Sequence, residues 1–600
     1  MSDNIHAMRH SAAHVLAAAL QKLYPEAKFG VGPVIDYGFY YDVAFEEAIS
    51  DKDLKKIQKE MRSIVKRNLP IEREEWPIEQ AIKFFQDNGQ PFKVELLRDL
   101  QQHGTTSIRN IDSSDLGVDD TDEKITTASV YKIGNFVDLC RGPHVESTGQ
   151  IGSFELTRLA GAYWRGDESR DQLQRVYGIA FEFEEELEKH KAMLELAKER
   201  DHRKLGRELD LFTFSELVGP GLPLWTPRGT VIRNELDAFV QELRAEYGFE
   251  EVTIPHITKK ELYMRSGHWD KFEDELFKIT SRDGHEFALK PMNCPHHTQI
   301  FDSRPRSYRE MPVRYRETTM VYRDEQSGEL HGLSRVRSIT QDDAHTFCRP
   351  SQVEDEVMNV WSVIEQYWKA FGVNLRVRLS THDPNNMKGY LGTEQQWQSA
   401  VAQLQSVIER KDVEFELGEG EAAFYGPKID FIGSDALGRE FQASTAQLDF
   451  NMPERFDLAC IDESGARETV VMIHCAIAGS VERSIVLLLE HFGGNFPVWL
   501  APQQVAVLPI SEKFIEYADK ITTKLKEQGV RVDVSAENES LGKRIRSAEV
   551  RKIPYTLIVG EKEVTDEMVA VRRFGEGDLG AMKADEFAEK IAKEIYNRSL

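Results

Sequence analysis

Apolar and polar segments alternate most regularly in the C-terminal part of the chain. Runs rich in Val, Ile and Leu predict strands over residues 505–509, 530–535 and 555–559. Stretches with helical spacing of apolar residues lie between and after these runs, over 513–527, 542–550 and 584–596. Strands that alternate with helices predict an independent α/β domain whose sheet is mostly covered.

The N-terminal part begins with a pattern that is typical of a helix. SAAHVLAAALQKLYP is rich in Ala and Leu and predicts a helix that ends at Pro25. GVGPVIDYGFYYDV predicts strand and turn, and the charges over 51–67 are again helical. Residues 180–207 predict one long charged helix with a weak apolar stripe. Because this helix has no core of its own, we expect it to connect two domains.

A large region of mixed helical and strand patterns lies between that helix and the C-terminal domain. The chain has 600 residues, and at roughly 150 residues per domain about four domains are expected. Apolar residues make up 40% and charged residues 30%, which excludes a collagen-like, low-complexity or mainly disordered protein. The predicted fold class is therefore α+β and multidomain.

Net charge and cysteine content indicate which partners and which cellular compartment suit the protein. Lys and Arg number 76 against 101 Asp and Glu, so the formal net charge is −25. An acidic chain has no general attraction for phosphate backbones, and any nucleic-acid contact requires a local basic patch. Five scattered cysteines indicate a reducing compartment. Neither a signal peptide nor an apolar run of about 20 residues occurs, which predicts a soluble, cytoplasmic protein without membrane contact.

Two histidines and a cysteine–histidine pair form a first candidate site. His10 and His14 are four residues apart on a predicted helix and therefore share one face. Cys140 and His144 lie in LCRGPHV, where the Gly-Pro pair forces a turn. Three interpretations stay open: a packed helix face beside an unrelated CxxxH, a tetrahedral zinc site, or a metal-free hydrolytic pocket whose imidazoles position water.

Arginines bracket a polar loop in the run VYRDEQSGELHGLSRVRSITQDDAHTFC, whose pattern predicts an antiparallel hairpin. Arg323 and Arg335 stand on either side of the loop, and paired guanidinium groups can bind a polyphosphate bidentately. Arg483 begins an apolar helix, where it either pairs with a carboxylate or awaits an anionic ligand. A solvated charged hairpin is the alternative. The chain has neither a GxxxxGKS/T loop nor a GxGxxG after a strand, so ATP would bind on an antiparallel sheet through arginines.

Three scattered residues of metal-binding type form a third candidate site. Cys294 lies in PMNCPHH, His345 in QDDAHTF and His474 in VMIHCAI. Taken singly, each is typical of a buried small polar residue. Together they would make a three-ligand zinc site with an open fourth position, although spacing alone does not show that they meet.

The motifs HSAAH, DLCRGPH, GPGLPLWTPRG, PMNCP, the hairpin run, FYGPKIDF, QLDF and GSVERS occur in this order along essentially the whole chain. They resemble those of the bacterial-type threonyl-tRNA synthetases, which are class II aminoacyl-tRNA synthetases. The resemblance implies a threonine–tRNA ligase that forms threonyl-adenylate from threonine and ATP and transfers threonine to the 3′ end of tRNA(Thr). It also implies hydrolysis of mischarged seryl-tRNA(Thr), and a homodimer with Pro255 near the interface.

The same resemblance implies a division of the chain by function. An editing domain would cover residues 1–179, a connecting helix 180–207, a class II catalytic domain with an antiparallel sheet 208–498, and an anticodon-binding domain 499–600.

Roles in the catalytic domain are implied residue by residue. Arg323 would hold the ATP α-phosphate and the threonine carboxylate, and Glu325 would face the adenine. Arg335 would bind the far phosphates and Arg483 the γ-phosphate and adenine, with Mg²⁺ accompanying ATP. One zinc ion per subunit would be held by Cys294, His345 and His474. The remaining substrate-pocket residues would be Gln341, Asp343, Tyr425 and Gln447, of which Asp343 accepts from the threonine hydroxyl.

Discrimination between amino acids explains why two sites are needed. An apolar pocket distinguishes threonine from the similarly sized valine by only about 10²-fold, whereas a metal that requires a hydroxyl ligand rejects valine. Serine has the hydroxyl and is smaller, so a second site must hydrolyse serine esters. By resemblance that editing pocket is metal-free and lined by His10, His14, Cys140 and His144.

The C-terminal domain resembles an anticodon-binding domain. Its basic run consists of Lys543, Arg544, Arg546, Arg551 and Lys552, and supplies a local positive patch unless it is simply a solvated helix face. By resemblance the anticodon bases would be read by Asn538, Glu563 and Arg572.

Three features depart from the usual family pattern. Met1 lies nine residues before His10, so the small ubiquitin-like domain that usually precedes the editing domain is expected to be absent. His296 replaces a glycine next to Cys294, and Cys475 replaces an arginine next to His474. We expect neither to displace the three metal ligands. Two other classes stay open: a non-catalytic RNA-binding regulator, against which the intact arginine set argues, and a synthetase of changed amino-acid specificity.

Overall fold

The computed structural model describes residues 3–103, 126–167, 169–384, 386–435, 438–535 and 539–600. The chain divides into two compact units, Met1–Glu195 and Leu196–Leu600. Domain boundaries after residues 179, 207 and 498 are finer than this division and stay predictions. Within the described ranges, none of the helices combines the length and apolar content required to cross a bilayer.

The first unit packs helices against an antiparallel sheet. Its helices are α1 (Asp3–Leu23), α2 (Asp51–Lys66), α3 (Ile78–Asp87) and α4 (Pro91–His103). Its strands are β1 (Lys28–Phe29), β2 (Val34–Ile35), β3 (Gly38–Ala44), β4 (Ile71–Pro77), β5 (Thr127–Ile133), β6 (Phe136–Leu139), β7 (Ser153–Tyr163) and β8 (Gln172–Phe181). The main sheet has the order β1-β3-β8-β7 with β2 beside β3, and β4, β5 and β6 form a second sheet. Fully buried alanines of α1, including Ala12, Ala13 and Ala19, let that helix approach α2 and β3 closely.

The single helix predicted over 180–207 is wrong. Ala180 still belongs to β8, where it pairs with Phe154. Two helices follow, α5 (Glu184–Glu199) and α6 (His202–Glu208). Asp201 separates them because its carboxylate accepts the backbone N–H of Arg203 at 2.8 Å and caps α6.

The second unit is built on a long sheet that confirms the predicted antiparallel architecture. Its elements up to residue 491 are β9 (Phe212–Thr213), β10 (Leu224–Trp225), α7 (Pro227–Glu246), β11 (Glu250–Glu251), β12 (Ile257–Lys259), α8 (Lys260–Ser266), α9 (His268–Lys271), β13 (Lys278–Thr280), β14 (Glu286–Leu289), α10 (Cys294–Asp302), β15 (Arg306–Ser307), β16 (Val313–Tyr322), β17 (Ser338–Cys348), α11 (Val353–Lys369), β18 (Leu375–Thr381), α12 (Glu394–Lys411), β19 (Phe415–Glu419), β20 (Lys428–Ser434), β21 (Glu440–Asp449), α13 (Asn451–Arg455), β22 (Ala459–Ile461), β23 (Arg467–Thr469), β24 (Val471–Ser480) and α14 (Val481–His491). The sheet order is β11-β16-β17-β24-β21-β20-β18-β19, and the central pairs are antiparallel.

One face of this sheet is covered by the main core, and the other carries polar groups. Helices α7, α11 and α14 pack in the core together with Ile473, Cys475 and Ile477 of β24. His474 alternates with them and lines a cavity on the opposite face, as the two-residue repeat of a strand requires.

The C-terminal part of the second unit is the predicted α/β domain. It contains β25 (Val505–Pro509), α15 (Ile515–Glu527), β26 (Val532–Val534), α16 (Leu541–Val550), β27 (Tyr555–Val559), α17 (Glu561–Asp566), β28 (Met568–Arg573), β29 (Gly577–Lys583) and α18 (Ala584–Tyr596). The sheet order is β26-β25-β27-β28-β29, with β25, β26 and β27 parallel. The hairpin of β28 and β29 was not predicted, because the glycines of β29 weaken its strand pattern.

Candidate functional site

Three arginines converge on one cavity beside the central sheet. The hairpin of β16 and β17 pairs Tyr322 with Ser338, and the loop between them carries Arg323 and Arg335. Arg335 forms ion pairs with Glu325 at 2.7 Å and with Glu329 at 3.0 Å. The Nε of Arg323 is buried and has no hydrogen-bond partner among the described residues, which leaves a cationic donor available for a ligand.

Arg483 completes this group from the first turn of α14. Its Nε donates to the carbonyl of Ser334 at 2.9 Å, which ties α14 to the hairpin loop. Burial, with the nearby positive charges of Arg323 and Arg335, lowers the pKa of Arg483. Cations held this close together favour a ligand that carries several negative charges.

Cys294, His345 and His474 meet at one end of the same cavity. His345 and His474 lie directly opposite each other on β17 and β24, and Cys294 begins α10. Their potential ligand atoms lie within 4.8 Å of one another, and His345 Nε2 is 3.1 Å from His474 Nδ1. The Nε2 of His474 contacts the carboxylate of Asp449 at 3.0 Å, which orients the ring with Nδ1 toward the cluster.

The electrostatics of this cluster suit a divalent metal. Burial raises the pKa of the Cys294 thiol and lowers that of His345, whose ring is therefore neutral. A neutral imidazole is the form that binds metal, and a buried thiol ionises when a cation is bound. One sulfur and two nitrogen donors with room for a further ligand are typical of zinc.

The cavity that joins the arginines to this cluster has a volume of about 750 Å³. Tyr425 donates its hydroxyl to Gln447 at 2.7 Å and stacks on His474 with ring centroids 5.0 Å apart. Asn293 donates to the carboxylate of Asp343 at 3.0 Å. The cavity is lined by every residue predicted for substrate, ATP or metal: Cys294, Arg323, Glu325, Arg335, Gln341, Asp343, His345, Tyr425, Gln447, His474 and Arg483.

The two unusual residues beside the metal ligands do not join the cluster. Two groups of metal-type ligands occur among the described residues, one of Cys294, His345 and His474 and one of His10, His14, Cys140 and His144, and neither contains His296 or Cys475. Cys475 is buried in the core near Arg244 and also borders the cavity. Asn293 and Asp449, which orient site residues, were missed, although both stand inside motifs, PMNCPHH and QLDF.

A second, smaller pocket lies in the first unit. The sulfur of Cys140 is 3.3 Å from His10 Nε2 and 3.2 Å from His144 Nε2. His14 Nδ1 is 3.0 Å from Asp138. Ser11 donates its hydroxyl to a carbonyl and therefore accepts from His144 Nδ1 at 3.1 Å, which leaves His144 Nε2 as an acceptor. A cavity lined by His10, His14, Asp138 and Cys140 is about 20 Å³, enough for about one water molecule.

Buried charges around Asp138 give this pocket its character. Asp138 binds Lys93 at 2.5 Å and accepts from the hydroxyl of Tyr41. Burial alone would lower the pKa of His14, but Cys140 and Asp138 raise it to about 9. Burial lowers the pKa of His144 to about 4. At neutral pH one imidazole is therefore a cation and another is a neutral acceptor. Lys93 and Tyr41 were missed because they lie outside both motifs, and Asp138 was missed although it begins the motif DLCRGPH.

Of the three predicted anticodon residues in the C-terminal part, the structure describes two, Glu563 and Arg572, and each contacts a different partner. Glu563 accepts the backbone N–H of Gly560 at 3.0 Å, and Arg572 is 3.8 Å from Glu549. Asn538 lies outside the described residues.

The basic run is smaller than predicted. Arg544 is buried and donates to the carbonyls of Ser535 and Pro509 at 2.7 and 2.8 Å, so it does not belong to a surface patch. It points inward because it lies on the face of α16 that packs on the sheet, whereas Arg546 and Arg551 are exposed.

Comparison with known families identifies the class of this protein. Residues 277–492 match the tRNA synthetase class II core domain (G, H, P, S and T), and residues 504–594 match the anticodon binding domain. Residues 128–177 match the threonyl and alanyl tRNA synthetase second additional domain. The antiparallel sheet with its arginine-lined cavity is thus that of a class II aminoacyl-tRNA synthetase.

Similar proteins narrow the class to one family. The threonine–tRNA ligase of Porphyromonas gingivalis is 47% identical over 599 residues, which are 99% of this chain and 88% of that protein. The threonine–tRNA ligase of Clostridium tetani is 46% identical over 591 residues, 98% of this chain and 88% of that protein. This chain belongs to the threonine–tRNA ligase family. The solved RNA binding domain of threonyl-tRNA synthetase from Cryptosporidium parvum Iowa II is 37% identical, covers 66% of this chain and 98% of its own, and has a TM-score of 0.63.

Proposed function

We propose that the large cavity activates threonine with ATP and then transfers it to tRNA(Thr). The observation that carries this assignment is the continuity of the cavity, which joins three arginines to a cluster of three metal-type ligands. One end therefore suits a polyphosphate, and the other suits a small amino acid with a hydroxyl group.

Positioning and charge neutralisation account for the first step. Arg323 holds the threonine carboxylate against the α-phosphate, so that the carboxylate oxygen attacks phosphorus and diphosphate leaves. Arg335 and Arg483 stabilise the negative charge that moves onto the leaving group, and Mg²⁺ accompanies the ATP phosphates. The carboxylate of Glu325 pairs with Arg335 and so orients that guanidinium. The same carboxylate faces the adenine of ATP.

Selection of threonine takes place at the other end. Zinc held by Cys294, His345 and His474 would supply coordination positions for the amino and hydroxyl groups of threonine. Asp343, which Asn293 holds by a 3.0 Å hydrogen bond, accepts a hydrogen bond from the hydroxyl group. Valine has no hydroxyl and leaves these polar groups unpaired, so it is rejected.

The small pocket of the first unit is proposed as the site that hydrolyses seryl-tRNA(Thr). The neutral His144 accepts a proton at Nε2 from the water that attacks the ester carbonyl carbon, and the cationic His14, held by Asp138, stabilises the negative charge on the carbonyl oxygen. The bond to the ribose oxygen then breaks, and His144 returns the proton to that leaving oxygen. His10 and Cys140 shape the space for the serine ester.

Further proposals concern partners and location. Exposed Arg546 and Arg551 with Glu563 and Arg572 form the tRNA-contacting face of the anticodon-binding part. A homodimer with Pro255 near its interface, and a cytoplasmic location, complete the proposal. The free and buried state of all the cysteines supports a reducing compartment.

Amino-acid-dependent ATP–diphosphate exchange tests the proposal directly. With zinc present, threonine is expected to support strong exchange, serine weaker exchange and valine none. Exchange with valine would contradict the zinc assignment. A complete lack of exchange would favour the non-catalytic RNA-binding alternative.

A further inference from the structure

A buried chain of polar groups leads from His345 away from the cavity. The Nδ1 atoms of His345 and His297 are 2.7 Å apart. His297 Nε2 in turn faces a carboxylate oxygen of Glu317, on β16, at 3.8 Å. His297 is 0% and Glu317 7% exposed, and neither lines the cavity. Since neither residue lines the cavity, an effect of the two on a metal or substrate there has to act through His345.

The short distance between the two rings determines where their protons lie. Two nitrogens 2.7 Å apart share one proton, so that one ring donates and the other accepts. His345 faces His474 through Nε2, the atom available to a metal. When Nε2 gives its lone pair to the metal, the proton of His345 must be on Nδ1. His297 then accepts at Nδ1 and carries its own proton on Nε2, toward Glu317.

Glu317 is placed to accept a hydrogen bond from the protonated Nε2 of His297. One of its oxygens accepts the backbone N–H of Ile254 at 3.1 Å. Its other oxygen and His297 Nε2 have no hydrogen-bond partner among the described residues. Two buried polar atoms without partners are costly, and these two face each other across 3.8 Å. A small rotation of either side chain would join them.

We propose that Glu317 and His297 form a positioning relay, which holds His345 in the tautomer that binds metal. The inference rests on the proposed zinc site. His474 has the direct form of the same support, because its Nε2 contacts the carboxylate of Asp449 at 3.0 Å. Without the acceptor on His297, the proton of His345 can move to Nε2 and block the lone pair that the metal needs. Metal affinity is therefore the property that the relay controls, and such outer partners typically change it about 10- to 100-fold.

Zinc affinity of the full chain, measured by competition with a chromogenic chelator, tests the relay. His297→Phe removes the acceptor and keeps a ring, and we expect zinc to bind about 10- to 100-fold more weakly. His296→Phe is the matched control, since His296 is a buried histidine of the same helix whose ring nitrogens have no partner among the described residues. Its zinc affinity should stay within about 2-fold of the wild type, because it does not contact a ligand.

Order within the relay gives a second, independent readout. Glu317→Gln should weaken zinc binding in the wild-type background and add nothing in the His297→Phe background, because a relay in series is already broken. Additive losses, or equal affinities of His297→Phe and His296→Phe, would overturn the relay. Thermal melting of the metal-stripped proteins checks folding. If His297→Phe does not fold, His297→Asn replaces it, because the amide oxygen of asparagine can accept a hydrogen bond from His345. A zinc affinity of His297→Asn near that of the wild type would support the relay. A loss of affinity as large as that of Cys294→Ser would overturn it.

Zinc binding by the wild type distinguishes failure of the relay from failure of the zinc site. A wild-type chain that binds zinc, together with unchanged affinity in His297→Phe, would overturn the relay alone. A wild-type chain that binds no zinc would overturn the zinc assignment, and the relay with it.

Discussion

A buried ion pair behind the catalytic sheet offers a sharp test of how the site is held in place. Arg244 of α7 and Asp342 of β17 are both 0% exposed, with Nη2 and Oδ1 3.6 Å apart. The Arg244 guanidinium also donates to the carbonyl of Cys475 at 3.2 Å. The carboxylate of Asp342 accepts the backbone N–H groups of Ile477 and Ala478 at 3.0 and 2.9 Å. Arg244 thus ties α7 to β17 and β24, the two strands that carry the histidines of the metal-type cluster.

Arg244→Met removes the charge and keeps most of the side-chain volume. Loss of one partner from a buried ion pair costs about 3–5 kcal/mol. The pair is longer than a hydrogen bond, and two nitrogens of Arg244 have no partner among the described residues. Asp342 also keeps its two backbone donors after the substitution. We therefore expect a loss in the free energy of unfolding near the lower limit, about 3 kcal/mol at neutral pH.

This loss should depend on pH. Burial raises the pKa of Asp342 to about 6, even though Arg244 opposes the effect. Without Arg244 the pKa rises further, and the folded state binds the proton more tightly than the unfolded chain. Stability then keeps falling as pH rises from about 6 to the new pKa, by about 1.4 kcal/mol for each unit by which the pKa has increased. Arg244→Met is therefore expected to cost less at acidic than at alkaline pH.

Thermal melting of the full chain, followed by tryptophan fluorescence at about pH 5.5 and about pH 8.5, measures this difference. Arg376→Met is the control, because Arg376 pairs with Glu416 and Glu440 at a half-exposed position, where a pair contributes about 0–1 kcal/mol. The double variant Arg244→Met/Asp342→Asn should recover most of the loss at alkaline pH, since it buries no charge. A loss that is equal at both pH values, or no larger than that of Arg376→Met, would refute the reasoning.

Three further predictions concern the individual sites. Arg323→Met should lower kcat/KM for threonine-dependent ATP–diphosphate exchange by about 10²- to 10³-fold. The control is Arg349→Met, because the Arg349 guanidinium binds Glu463 and Glu468 away from the cavity, and it should change kcat/KM by less than about 3-fold. Similar effects of the two variants would contradict the phosphate-binding role of Arg323. His10→Ala/His14→Ala should accumulate seryl-tRNA(Thr) in a charging assay while threonine activation continues, and a failure to accumulate it would exclude the editing assignment. Arg544→Met should lower the melting temperature, because Arg544 bonds two carbonyls, whereas Arg546→Met should keep it and weaken tRNA binding; the reverse result would return Arg544 to the basic patch.

The spacing of apolar residues predicted the secondary structure correctly where a segment had a clear strand or helix repeat. Strands β25 and β27 and helix α18 occupy the predicted residues, because their apolar runs are bounded by polar turns. The single helix over 180–207 failed for a local reason, the Asp201 cap, which charge pattern alone did not reveal. The hairpin of β28 and β29 escaped because glycines obscure the alternation of a strand.

The candidate sites were predictable to the extent that motifs carry them. Spacing placed His10 and His14 on one face of a helix, but their approach to Cys140 depends on tertiary packing. Lys93 could not be found, since a lysine in a charged chain has no distinguishing neighbour, whereas Asp138 begins the motif DLCRGPH and could have been recognised. Arg544 was assigned to the surface because a basic run does not show which of its members turns inward.

If the two pockets have the proposed roles, their sizes explain why neither could do the work of the other. The large cavity, of about 750 Å³, must admit ATP and threonine, so it cannot exclude serine, which is smaller and retains the hydroxyl. The pocket beside His10, His14 and Cys140 is only about 20 Å³, so a side chain that enters next to it meets a close wall, and water has about one position. The methyl group that threonine adds is worth about 1–3 kcal/mol against such a wall, or about 10- to 200-fold in rate. That factor is sufficient to spare most threonyl esters while seryl esters are hydrolysed, which requires the small pocket to be rigid. The buried Asp138, Lys93 and His14 charges supply that rigidity, because moving any one of them leaves another charge unpaired.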